Sequence, residues 1–157
     1  IMKKMNKKNG FTLIELIIVM VILGIMAAVA VPRYLDSISN AEESAEDAVI
    51  SAIRSGLKQA ANDSLYTNGR ASWPNNPFDV LSEKPAGYST DPSDADTDGE
   101  WTFNVNGGAR ITHQRADNSR FQWSYNKGIN TGTDNDATGT LYKRSDLGTG
   151  GSEILFK

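Results

Sequence analysis

The chain has 157 residues, 22% of them charged and 39% apolar, and a net charge of -3, which suits one domain with an extension. It has no cysteine and one histidine, His113, which excludes disulfides, thiolate metal sites, cysteine nucleophiles and multi-histidine metal sites. Setting aside Lys3, Lys4, Lys7 and Lys8 leaves 12 of the 16 basic residues against 19 acidic ones, a balance of -7. Beyond local patches around Arg110, Arg115 and Arg120 there is no basic footprint, so no specific nucleic-acid partner is expected.

The first ten residues are basic, and a start at Met2, Met5 or an unusual codon at Ile1 is expected. Phe11 to Val31 is an almost wholly apolar run of 21 residues. As a helix it spans about 30 Å, one bilayer core. The lysines favour the cytoplasmic side, which sends the C-terminus outward. One carboxylate, Glu15, interrupts the run, and no charge follows from Leu16 to Pro32. At the centre of a bilayer a charge costs roughly 2.5–3.5 kcal/mol; nearer a helix end it costs less and still asks for a partner. A secretory signal peptide with Ala28-Val29-Ala30 as its cleavage site is the ordinary alternative. The length of the run and the presence of Glu15 count against it.

Gly10-Phe11-Thr12-Leu13-Ile14-Glu15, following a lysine-rich leader, resembles the class III signal of type IV pilins and the related type II secretion pseudopilins. The resemblance covers roughly residues 3 to 60 and is most like a bacterial major type IVa pilin. It implies a leader, residues 1–10, cut after Gly10 by a prepilin peptidase that also N-methylates Phe11. It further implies that Glu15 is the assembly glutamate and residues 11–34 a transmembrane and filament-core helix. A free α-amino group ordinarily titrates at about pH 8, so the new Phe11 amine is an ammonium for Glu15 to pair with. Four residues separate the two, which permits a pair within one chain; a pair with the next subunit would instead set the register of a polymer.

Gly24 is a weak helix former and Pro32 closes the apolar run, so a bend or melting is expected between them. In the resembled pilins the matching segment is extended in the filament. A plain kink at Pro32 is the alternative.

Residues 35–157 read as a globular ectodomain, beginning with an amphipathic helix over 35–63. Leu35, Ile38, Ala41, Ala45, Val49, Ala52, Ile53, Leu57 and Ala60 follow helical spacing. Glu42, Glu43, Glu46 and Asp47 precede Arg54 and Lys58, an order that complements the helix dipole. Residues 64–99 form a loop, with one short helical turn at Asn76-Pro77-Phe78-Asp79-Val80-Leu81. Residues 100–125 form a β-meander. Trp101, Phe103 and Val105 alternate with polar residues, Asn106-Gly107 makes a two-residue hairpin turn, Arg110 to His113 returns, and Phe121, Trp123 and Tyr125 alternate after a turn at 116–119. The aromatic face is expected on the Val49/Ile53/Leu57 stripe. Residues 126–157 are loops and a tail, with Leu141-Tyr142 and Ile154-Leu155-Phe156 as short strands or a docked end. The fold class is α+β, a long N-terminal helix packed on a small antiparallel sheet.

Asp94-x-Asp96-x-Asp98-Gly99 resembles the first half of a calcium loop, but its twelfth position is Val105 instead of glutamate. Calcium is the one cofactor considered; a solvated acidic turn is the alternative. His113 reads as a sheet residue, and Trp73, Trp101 and Trp123 as core or loop anchors. Asn62-Asp63-Ser64 fits a glycosylation sequon. No catalytic constellation is present, so the chain is read as no enzyme. The function expected is a homo-oligomeric filament subunit, held in the inner membrane before a pilus assembly platform extrudes it to the cell surface. A minor pilin, a pseudopilin, or a membrane-anchored or secreted binding module are the alternatives.

Overall fold

The computed structural model describes residues 10–149. Helix α1 runs over Leu13–Asn68 with Pro32 inside it. The chain divides between Ser44 and Ala45 into two compact units, and among the described residues the first consists of α1 and the three residues before it. The second half of α1 ends five residues beyond the expected Asp63. The Gly24–Pro32 stretch is helical throughout, so the weak formers there do not unwind the helix in a single chain.

In the second unit α1 lays Glu46, Ile50, Ile53, Leu57 and Ala61 inward. This stripe is rotated slightly from the expected one: Val49 is only half-buried, whereas Ile50 is 1% exposed. A 3-10 helix, η1 (Pro77–Val80), falls where the sequence placed a turn. Asn76 caps it by accepting from the Phe78 N–H at 2.9 Å, and Phe78 is fully buried.

The sheet comprises β1 (Trp101–Asn104), β2 (Arg110–Gln114), β3 (Ser119–Asn126), β4 (Thr140–Leu141) and β5 (Ser145–Thr149), all pairing antiparallel. β1, β2 and β3 are the expected meander. Both β4 and β5 pair with β3, and a register shift between Arg120 and Phe121 accommodates β5. Neither the extent of β5 nor its partner was legible, because Ser145 to Thr149 offers one apolar side chain, Leu147. The Ile154–Phe156 expectation lies outside the described residues.

The β1–β2 connection corrects the two-residue turn. Asn104 pairs with Arg110, leaving a five-residue loop, Val105 to Ala109. A two-residue type I′ turn needs positive φ at both central residues, and Asn118 is the one non-glycine residue with positive φ among the described residues. The Asn104 side chain instead accepts from the N–H groups of Asn106 and Gly107 at 2.8 and 2.9 Å, and Gly108, at φ 98°, takes the left-handed position. The core joins Ile50, Ile53, Leu57 and Phe78 to Trp101, Phe103, Ile111, Trp123, Tyr125 and Leu141. Trp101 stacks between His113 and Trp123, with ring centroids 4.2 and 5.7 Å away.

Candidate functional site

The head of α1 is organised by a residue the sequence reading overlooked. Thr12 precedes the first helical residue and forms a reciprocal capping box with Glu15. The Thr12 N–H and hydroxyl each donate to Glu15 Oε2 at 2.8 Å, and the Glu15 N–H donates back to Thr12 Oγ1 at 3.3 Å. Threonine followed three residues later by glutamate ahead of an apolar run was a readable signal. In this chain, therefore, Glu15 is held by Thr12 and not by Phe11. Phe11 itself is 93% exposed, and Gly10 beside it is exposed, which leaves the Gly10–Phe11 bond open to solvent-side chemistry.

From Phe11 to Leu35 every large apolar side chain is at least 46% exposed. The helix is long and apolar enough in this part to cross a membrane. An apolar surface of this extent without a covering fold marks a membrane or protein interface. Gly24 and Pro32 both lie in this exposed stretch.

A second constellation lies in the second unit. Glu46, read from the sequence only as one of the acids that complement the helix dipole, is fully buried. Arg115 Nε and Nη2 donate to its two oxygens at 2.7 Å each, His113 Nδ1 donates at 2.9 Å, and Arg144 Nη1 donates at 3.1 Å. Phe121 lies beside both guanidiniums, 4.1 Å from Arg115 and 5.1 Å from Arg144 to its ring centroid. Burial pushes the Glu46 carboxyl up, but hydrogen bonds from Arg115 and His113, reinforced by their charge, outweigh it and hold the group at about 2. The cluster joins α1 to β2 through His113, to Arg115 just after β2, and to Arg144 before β5, which are 67, 69 and 98 positions away. His113 is thus a sheet residue, as read, with a specific structural partner.

Each of the three aspartates of the calcium-like loop has a partner within the chain. Asp94 is taken by Arg110, whose Nε and Nη2 donate at 2.9 and 2.7 Å, and by the Asn104 amide. Asp98 accepts from Gln114, and Asp96 from the Thr97 hydroxyl. Glu100 closes the turn by accepting from the N–H groups of Asp96 and Thr97. The three aspartates face different partners, and no group of three acidic or imidazole side chains among the described residues is placed to hold a metal ion.

Comparison with known proteins addresses the N-terminal part. Residues 5–31 match the family model described as the prokaryotic N-terminal methylation motif. The chain is 51% identical over 49 residues to a type IV narrow pilus major component of Thermus thermophilus, which covers 31% of this chain and 42% of that one. It is 40% identical over 87 residues to a type IV major pilin of Neisseria gonorrhoeae, covering 55% and 46%. A fimbrial protein of Moraxella nonliquefaciens is 58% identical over 40 residues, 26% of either chain. The matched stretches span less than half the length of these relatives. No solved structure matches. The resemblance to type IV pilins read from Gly10 to Glu15 is borne out for the N-terminal segment.

Proposed function

We propose that this chain is a type IV pilin, a structural subunit that polymerises into a surface filament. The observation that carries the proposal is the methylation motif over residues 5–31 at the head of a helix whose apolar side chains are exposed from Phe11 to Leu35. A surface of that kind is stored in lipid before assembly and covered by neighbouring subunits afterwards. On this reading residues 1–10 are removed by a prepilin peptidase after Gly10, and Phe11 is N-methylated. The precursor sits in the inner membrane until an assembly platform extracts it, and the ectodomain then coats an extracellular filament. Names of the relatives as major pilus components support the major-subunit reading over a minor one.

Assembly changes the partner of Glu15. Cleavage places an ammonium at Phe11, and an unpaired charge is costly in the apolar core of a filament, as it is in lipid. Glu15 then leaves the Thr12 cap for an ammonium, in its own chain or in the next. The Gly24–Pro32 stretch is helical in the single chain, so any extension of it would accompany assembly. The test is mass spectrometry of sheared surface filaments together with electron microscopy of a Glu15→Ala strain. The expected result is a subunit beginning at N-methylated Phe11, and a variant that is cut normally yet yields few filaments. A subunit beginning elsewhere, or a normal filament yield from Glu15→Ala, overturns the proposal.

A further inference from the structure

The ectodomain contains a cleft of about 640 Å³ that the filament reading does not use. One wall is a face of α1, contributing Arg54, Lys58 and Asn62; the other is formed by Trp73, Asn130 and Thr140. Its size lies within the range of small-molecule sites, about 300–1,000 Å³. None of its lining residues is acidic, although acids outnumber bases in the chain. The carboxylate of Asp136, next to Asn130, is engaged by the N–H groups of Thr131 and Gly132 at 2.6 and 2.7 Å.

Two features of the cleft are set in advance. Arg54 donates from Nη2 to the Tyr142 carbonyl at 3.0 Å, which fixes its guanidinium while leaving further donors for a ligand. Trp73 is half-buried against the core, and Gly139 lies flat against its pyrrole ring. A Cβ at Gly139 would stand 2.4 Å from Trp73 Cγ, so only glycine lets the indole keep its place.

We propose that this cleft binds a carboxylated sugar residue, a uronate. The chemistry of each wall corresponds to one part of that molecule. Arg54 and Lys58 meet the carboxylate, for which a fixed guanidinium is the better partner. Asn62 offers its amide to the ring hydroxyls, and Thr140, whose hydroxyl donates to the Thr138 carbonyl at 2.9 Å, offers them an acceptor oxygen, while Asn130 is held by Asp136 and Ala71 and shapes the wall. The indole of Trp73, with Leu57 and Ala61 beside it, faces the apolar C–H side of the ring, whose edge hydrogens are attracted to the negative aromatic face.

The experiment titrates the full chain, in a zwitterionic detergent, with glucuronate, glucose and acetate, reading tryptophan fluorescence. Trp101 and Trp123 are 5% and 1% exposed, so a ligand-dependent change reports Trp73. Glucuronate is expected to give a saturable change, with glucose and acetate each weaker by about tenfold or more, because each lacks one of the two recognised parts. Arg54→Gln and Lys58→Gln, both exposed positions, should weaken glucuronate by about the same factor with far-ultraviolet circular dichroism unchanged. Gly139→Ala should abolish the response by displacing the indole. Equal binding of glucose, equal binding of acetate, no response to glucuronate at about 10 mM, or full binding by Gly139→Ala each overturns the proposal.

Discussion

Glu46 shows how far one side chain can depart from its sequence context. Among Glu42, Glu43 and Asp47 it reads as one more acid at the front of an amphipathic helix, yet it alone is fully buried and meets two guanidiniums and an imidazole. Helical spacing places it on the Ile50/Ile53/Leu57 face, but nothing local announces partners 67 and 69 residues away. Its carboxyl sits at about 2 when folded against 4.5 as a free group. A depressed folded value means that its contribution is complete above about pH 4.5 and is lost as pH falls toward 2. The Glu46 contribution should therefore be in place above about pH 5 and fall away by on the order of 3 kcal/mol as pH drops toward 2, as read by near-ultraviolet circular dichroism of the full chain in urea. Glu46→Gln should cost about 3–5 kcal/mol at neutral pH, since Arg115 remains buried without its counter-charge, and should flatten the acid limb. A variant as stable as the parent at pH 7 would remove the cluster from the account of what holds the fold.

The elements themselves were largely legible. The period-2 aromatics of β1 and β3 and the helical stripe through Ile53 and Leu57 define α1, the meander and the core between them, because burial on one face writes a period into the sequence. What escaped is set by non-local fit. β4 has two residues and β5 a single apolar side chain, so neither shows a period, and both depend on the edge of β3 being free to pair. Gly56 is a second case. In sequence it is a helix weakness, costing about 1 kcal/mol relative to alanine. In the fold it is where η1 meets α1: a Cβ there would stand 2.8 Å from Val80 Cβ and 3.2 Å from the Val80 carbonyl oxygen. Those atoms are branched side chain and backbone and yield little. Gly56→Ala should thus lose more by overpacking, about 1–3 kcal/mol, than it gains in propensity, and the net sign is destabilising. A rise in the urea midpoint would refute that packing argument.

At the level of the whole chain, two parts of one helix serve two solvents. Up to Leu35 the apolar side chains stay exposed; from Glu46 onward the helix is a wall of a packed domain. An added charge separates the two roles. Ile22→Lys, in the middle of the exposed run, should raise the cost of membrane insertion by about 2.5–3.5 kcal/mol and move much of the protein into the carbonate-soluble fraction of cell membranes, while leaving the ectodomain core untouched. Retention in the membrane pellet at the parent's level would count against a spanning role for that segment. The absence of cysteine, finally, has a bearing on how the protein matures. Ties over 69 and 98 residues, which an exported domain of this size commonly makes with sulfur, are made here by one carboxylate and its cations. Closing them requires no thiol oxidase and no isomerase, and no reducing agent opens them. The globular unit thus needs no redox chemistry to reach its final form, and acid, not reductant, is expected to loosen this cluster.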